Sequence, residues 1–467
     1  MKPISLQEIA RVTQASALIT SDPEQTINNV EFDSRKITPG SLFVPLVGGA
    51  TDGHSYIQQV VNQGATATFW SNPIDEVPES DLAIIVVEDT LLAMQQLAAY
   101  YRELLNPIVI GITGSNGKTT TKDMTAAALT AKYRVHKTQG NFNNEIGLPY
   151  TLLQMPEDTE VAVIEMGMSG FGEIEVLSNI TKPNIAAITL IGESHLEFLG
   201  SRAGIAQAKL EILSGLKDDG MLIYPGAEPL IEKYLPEISQ TIKLRSFGFK
   251  DSYDVFAYDL QEEVDRTYFR TNLDSNVMCM IPVMGAYNVS NALIALTIAE
   301  VLDVPIEQAI FQLAQFKLTA NRLEWLKTFQ GAKLLNDAYN ASPTSMKAVL
   351  ETLMQTKFED KMRKIAVLGD IRELGENSEQ YHRELAKHID PDRINRVYLF
   401  GSQMAYLYEE LQKKYETNQL YYEPENHDKL VAALEESTNE KDVILVKSSF
   451  GVDLLKVVTA LTGQETK

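Results

Sequence analysis

The chain has 467 residues, 44% of them apolar and 22% charged, with a formal net charge of −22. That length is too great for one core and calls for about two or three domains. No run approaches the ~20 apolar residues of a membrane span, and the single cysteine, Cys279, excludes an internal disulfide and reads as a small buried apolar residue. The acidic balance argues against a nucleic-acid partner, whereas an anionic small molecule stays open because local cations and backbone N–H groups decide its binding.

Residues 1–105 read as a small mixed α/β domain. Met1 to Glu8 resembles a helix start, with Ser5 and Glu8 at capping-box spacing, and lacks the apolar core of a signal peptide, so the protein is expected in the cytoplasm. Strand-like runs at Ser41–Leu46 and Leu82–Val87 precede a helix over Leu91–Leu105. Asn106-Pro107 then breaks the chain, because a residue before proline resists the helical region.

Residues 106–320 alternate strand and helix. Strands are expected at Ile108–Ile112, Val161–Glu165 and Ile185–Leu190, and helices at Thr119–Lys132, Ala203–Leu213 and Asn288–Val301. This order predicts a parallel sheet. Between its first strand and first helix lies Gly114-Ser115-Asn116-Gly117-Lys118-Thr119-Thr120. Glycines there let successive N–H groups turn toward phosphate oxygens, and the helix N-terminus adds its positive end. Lys118 can reach terminal phosphates, and the Thr119 hydroxyl suits Mg²⁺. The usual first glycine of such loops is replaced by Ile112, so this loop is shorter. Glu165 ends a strand and His195 follows one, which places both at the carboxyl edge where ligands bind. Their donors suit a divalent cation bridging phosphates.

Residues 321–467 repeat strand-like runs at Lys333–Asn336, Lys364–Leu368, Arg396–Phe400 and Val443–Val446, each before a helical stretch. That pattern predicts a doubly wound, Rossmann-like domain.

Gly111 to Thr121 resembles the ATP loop of the Mur ligases and folylpolyglutamate synthases, short spacing included. Gly140–Pro149, Glu165–Met168, His195–Ser201, Ala208–Glu211 and Gly285–Ala292 match in the same order. The resemblance implies a central ATPase domain and an ATP-dependent ligase with Mg²⁺. Its loop, Gly114 to Thr120, would hold ATP, and Thr119 and Glu165 a metal. His195 would hold a second metal nearer the acceptor carboxylate, and Lys209, carried as a carbamate in relatives, would bridge to metal. Asn288 and Asn291 share a helix face and would meet adenine or ribose, with a role as satisfied core amides as the alternative. Arg322, Asp337 and Asn340 would reach ATP from the third domain. Asp33-Ser34-Arg35 resembles the nucleotide-sugar end of the family's substrate site, and Asn141 and Asn144 would also meet substrate.

Asn336 to Met346 and Gly369 to Gly375 look most like the family member that joins D-alanyl-D-alanine to UDP-N-acetylmuramoyl-tripeptide. These two molecules are the expected partners, the chain acting as a monomer. Other ligases of the family, or a nucleotide-dependent binding module without ligation, are the competing expectations.

Overall fold

The computed structural model describes residues 1–49, 51–77, 79–237, 242–358 and 362–464. Among the described residues three large sheets succeed one another along the chain, beside a two-stranded pair of Ile4–Ser5 with Thr26–Ile27. The first has five strands in the order Ala17–Ile19, Ala83–Val86, Ala67–Trp70, Ser41–Phe43, Asn29–Glu31. Only its Ala17–Ile19 edge is antiparallel. The expected strand at Ser41–Leu46 stops at Phe43, two residues before Pro45, which has no N–H to give a ladder. Ser5 does cap the helix Leu6–Val12, accepting from the Glu8 N–H at 3.3 Å. Glu8 does not return the bond as a capping box requires. Its carboxylate accepts instead from Tyr100 Oη at 2.6 Å.

The helix Thr90–Leu105 is capped by Asp89 and ends at Asn106 in a left-handed conformation, which asparagine adopts more readily than most residues. It packs on the helix Gly147–Leu153 of the central region, and Tyr101 Oη donates to Met155 O at 2.8 Å. The first sheet is thereby docked to the second.

The central sheet runs Val135–Lys137, Val161–Glu165, Ile108–Thr113, Ile185–Ile188, Met221–Pro225, Lys243–Gly248, Val255–Glu262, all parallel. Two further strands, Thr267–Thr271 and Asp274–Ile281, extend it antiparallel. Ile110 and Ile112 pack into one core beside Met124 and Leu293. Val109, Ala162 and Ile164 face the opposite core with Leu152 and Leu177. Burial on both faces is why these strands read as unbroken apolar runs; each such side chain contributes about 1.5–3 kcal/mol. The strand Ile108–Thr113 has its sequence successors on opposite sides, Val161–Glu165 and Ile185–Ile188. Loops leaving their carboxyl ends diverge and open a crevice.

The third sheet runs Glu324–Lys327, Lys333–Asp337, Asp442–Lys447, Arg363–Gly369, Arg396–Phe400, Leu420–Glu423, parallel except at Glu324–Lys327. Helices cover both faces. The architecture is thus α/β in three parts: a small mixed one, a central parallel-sheet one carrying the phosphate loop, and a Rossmann-like one. No helix among the described residues is long and apolar enough to cross a membrane.

Candidate active site

The phosphate loop leaves the central strand at Thr113. Gly114 has φ +145°, and a Cβ on it would lie 1.9 Å from Thr189 Oγ1. Gly117 has φ +83°, and a Cβ there would lie 2.6 Å from Asn291 Oδ1. Both positions therefore admit only glycine. Ile112, fully buried in the strand opposite Glu165, accounts for the short loop. The neighbouring strand holds the turn from behind. Ser115 N–H donates to Leu190 O at 3.0 Å, and Thr189 Oγ1 donates to Asn116 O at 2.5 Å. That duty ends the strand expected over Ile185–Leu190 at Ile188. The helix Lys118–Leu129 opens directly after Gly117, so its first N–H groups face the crevice. The ammonium of Lys118 folds onto Gly114 O at 2.8 Å.

Beneath the loop, Glu165 is 2% exposed. Its Oε1 accepts from Thr119 Oγ1 at 3.2 Å and from Asn143 Nδ2 at 2.7 Å, while Oε2 is buried without a hydrogen bond. An orphaned carboxylate oxygen beside a hydroxyl at a phosphate loop fits a divalent cation. Among the described residues no group of three or more His, Cys, Asp or Glu could hold a metal ion, so phosphate and water would complete its shell. Lys209 is fully buried with no partner for Nζ. Burial, and then repulsion from Lys118, push its pKa well below the usual lysine value. Burial likewise lowers Lys118; Glu165 opposes that shift and Arg322 adds to it.

The facing wall comes from the third sheet. The Arg322 guanidinium stacks 4.3 Å from the Tyr339 ring centroid, Asp337 pairs with Lys447, and Lys447 Nζ also donates to Asn340 O at 3.0 Å. These residues and the loop line one cavity. Ser342 Oγ donates to Asn116 Oδ1 at 2.8 Å, and Thr344 donates to Glu193, so the two walls touch. Asn288 and Asn291 reach the same cavity, but their amides are engaged. Asn291 Nδ2 donates to Asn288 Oδ1 at 3.0 Å, and Thr121 Oγ1 donates to Asn291 Oδ1 at 3.1 Å. They brace the loop's helix, as satisfied core amides do.

A second cavity adjoins, lined by Glu193, His195, Asn340, Arg372, Glu373 and Ser449. His195 and Glu373 meet across it, Nδ1 to Oε2 at 2.6 Å, and both hold positive φ, 61° and 62°. The nearby His195 imidazole holds the Glu373 carboxyl below its usual pKa. Nδ1 approaches the carboxylate without an aligned hydrogen bond, and Nε2 is the other nitrogen able to meet a ligand. The Arg372 guanidinium lies over Gly451, where a Cβ would be 2.7 Å from Nη1.

Asn141 approaches the cleft beside Tyr339. Ser34, Arg35 and Asn144 line neither cavity. Arg35 is bidentate to Asp33 at 2.8 Å on both oxygens, Ser34 Oγ donates to Gln59 Oε1 at 3.4 Å, and Asn144 Oδ1 accepts from the Gly147 N–H at 2.9 Å. Sequence reasoning missed Lys447, Asn143, Arg372 and Glu373. Lys447 had a signal like that of Glu165, a charge ending an apolar strand.

Three family models match in chain order: the Mur ligase family catalytic domain over residues 26–102, the Mur ligase middle domain over 112–299, and the Mur ligase glutamate ligase domain over 321–450. A Bacillus subtilis protein named UDP-N-acetylmuramoyl-tripeptide–D-alanyl-D-alanine ligase is 42% identical over 457 residues, 98% of each chain. The chain belongs to the Mur ligase family. The Escherichia coli ligase of the same name is 34% identical over 81% of this chain and 82% of its own. Among solved structures, MurF of Acinetobacter baumannii covers 99% of this Mur ligase and 100% of its own chain, with TM-score 0.88 and 29% identity. MurF of Thermotoga maritima in complex with ADP covers 92% and 96%, with TM-score 0.79 and 27% identity.

Proposed function

We propose that this Mur ligase uses ATP to join the terminal carboxylate of UDP-N-acetylmuramoyl-tripeptide to the amine of D-alanyl-D-alanine. The observation that carries this reading is the pair of adjoining cavities, one built on the phosphate loop and one on His195, Arg372 and Glu373. A phosphorylated carboxylate made in the first can meet an amine held in the second without crossing water. The 42% identity to the Bacillus subtilis ligase along the whole chain supports the choice of substrates.

In the first step the tripeptide carboxylate attacks the γ-phosphorus, forming an acyl phosphate and releasing ADP. In the second the dipeptide amine attacks the acyl carbon and phosphate leaves. Gly114 to Thr120 would cradle the phosphates through their N–H groups, and Lys118 would leave Gly114 O to neutralise the charge that develops on them. Thr119 and Glu165 would hold Mg²⁺, which supplies charge neutralisation on the phosphate oxygens. His195 Nε2 would serve a second such ion. Burial disfavours the ammonium form of Lys209; as a free amine it would be a nucleophile toward CO₂, and its carbamate would be an anion suited to the cations around it. Arg322, Asp337 and Asn340 would close on ATP from the third domain, Asn288 and Asn291 would border the nucleoside, and Arg372 would take the dipeptide carboxylate as a guanidinium does. Ser34 and Arg35 in the first domain, with Asn141 and Asn144, would receive the UDP-sugar end. We place the domain limits at 1–105, 106–320 and 321–467. One chain supplies every group named, which supports action as a monomer, and the nucleotide substrates support a cytoplasmic location.

ADP release measured with each substrate present or withheld tests the reading. Turnover should require both UDP-N-acetylmuramoyl-tripeptide and D-alanyl-D-alanine. ATP hydrolysis indifferent to the dipeptide would overturn it in favour of a nucleotide-driven binding module.

A further inference from the structure

The mechanism above leaves one buried charge cluster unused. Asp123 lies one helical turn beyond Thr119, on the same face of the helix that follows the phosphate loop. It is 2% exposed, and each carboxylate oxygen has separate partners. Oδ1 meets Lys137 Nζ at 2.6 Å and Lys122 Nζ at 3.3 Å. Oδ2 accepts both the N–H of Thr319 at 3.1 Å and its hydroxyl at 2.7 Å. Burial alone would raise the Asp123 pKa, but the two lysines hold it below the usual value, so it is an anion.

Thr319 begins the stretch by which the chain passes from the second sheet to the third. Two residues on, Asn321 has φ 64°, and Leu323 has φ 48°, conformations that side chains larger than glycine adopt only when their surroundings impose them. The far side of this stretch is fixed as well. Asn336 Nδ2 donates to Asn321 Oδ1 at 2.8 Å, and the Leu323 N–H donates to Asp337 Oδ1 at 3.3 Å. Arg322 sits between the two anchor points and stacks on Tyr339 at the nucleotide cavity.

We infer that Asp123 is a positioning residue, which through Thr319 locks the crossing segment to the phosphate-loop helix and so sets Arg322 against whatever the loop holds. The inference rests on the nucleotide reading of that cavity. A shift of the helix on phosphate binding reaches the third domain through one carboxylate and its hydroxyl partner, with no need of the sheets between.

The test uses the full chain with Thr319→Val, Thr319→Ser and Asp123→Asn, measured for kcat, KM for ATP, melting temperature, and compaction by small-angle scattering with a non-hydrolysable ATP analogue. Thr319→Val, which keeps the main-chain bond and loses the hydroxyl, is expected to lower kcat about tenfold and to blunt compaction. Its KM for ATP and melting temperature should stay near those of the parent. Thr319→Ser should restore kcat. Asp123→Asn leaves two lysines facing a neutral group and should be the more damaging; if it does not fold, Thr319→Val still decides. Unchanged kcat in Thr319→Val overturns the inference, and so does a loss no greater than its unfolded fraction explains. Lys118→Ala run alongside separates the two claims, since full activity there would sink the nucleotide reading whatever Thr319 does.

Discussion

The two walls of the nucleotide cleft are made differently. On the phosphate-loop side Glu165 and Lys209 are buried, and Gly114 and Gly117 fit against Thr189 and Asn291 with no room for a Cβ. On the opposite side Lys447 is buried against Asp337, but Arg372 and Glu373, in the adjoining cavity, are exposed, and Glu373 meets His195 by one carboxylate–imidazole contact. One wall is a fixed mould whose electrostatics are set before substrate arrives. The other is supplied by a separate sheet, whose long side chains a movement of that domain would deliver. Substitutions on the first wall, or of the Asp123–Thr319 link that sets one wall against the other, should therefore strike the chemical step, and those of ligand-binding side chains on the second the assembly of the complex.

The hardest test of that contrast is Lys118→Ala. Loss of this ammonium should cost about 3 kcal/mol or more of transition-state stabilisation, on the order of a hundredfold to a thousandfold in kcat, read by ADP release. A variant altered only in KM for ATP would place Lys118 with the second wall.

Next is Lys209→Met, expected to lower activity by about a hundredfold while raising thermal stability. The sign follows from its protonation. The folded-state pKa lies well below 10.5, so between those limits the unfolded chain holds a proton that the folded chain lacks. In CO₂-free buffer, stability of the parent should rise with pH toward 10.5, and the methionine variant should lack that rise. Melting curves across alkaline pH check this, and added bicarbonate should raise the parent's activity alone.

Lys447→Met probes the opposite wall. It strips Asp337 of its partner and turns that carboxylate toward incoming phosphates. KM for ATP should increase about tenfold with kcat much less affected, as a steady-state titration would reveal. A large drop in kcat would erase the distinction between the walls. The smallest effect is expected for Arg35→Ala, distant from both cavities. KM for UDP-N-acetylmuramoyl-tripeptide should climb a few-fold, from the loss of one exposed cation, at unchanged melting temperature. Equal weakening of ATP binding would contradict the separation of the sites.

The contrast also explains what the sequence disclosed. The loop, Glu165 and the strands beneath are local in the chain, and burial on both faces imprints itself as apolar runs ending in polar residues. Lys447 escaped because its importance comes from pairing with Asp337, 110 positions earlier, and parallel register between distant strands leaves no trace in composition. Asn143 escaped beside Asn141 and Asn144 because an irregular loop has no period to say which amide turns inward. The antiparallel extension over 255–281 was overlooked for another reason. Its strands carry exposed polar residues along much of their length, so they resemble loops beside the solid apolar strands of the parallel sheet. Asn288 and Asn291 were placed on the right face, but whether an amide is spent on a neighbour or kept for a ligand depends on packing that no spacing reveals.

Arg322 and Lys118 approach from opposite walls closely enough that the guanidinium disfavours the charge of the ammonium. The walls touch through Ser342 and Asn116, so this repulsion acts across a closed cleft, and a triphosphate between the two cations would turn it into cohesion. Once the γ-phosphoryl has passed to the acceptor and left as free phosphate, fewer anionic oxygens remain to bind the walls. The same two cations would then favour reopening, so that departure of spent nucleotide would draw on the charge lost in the reaction itself.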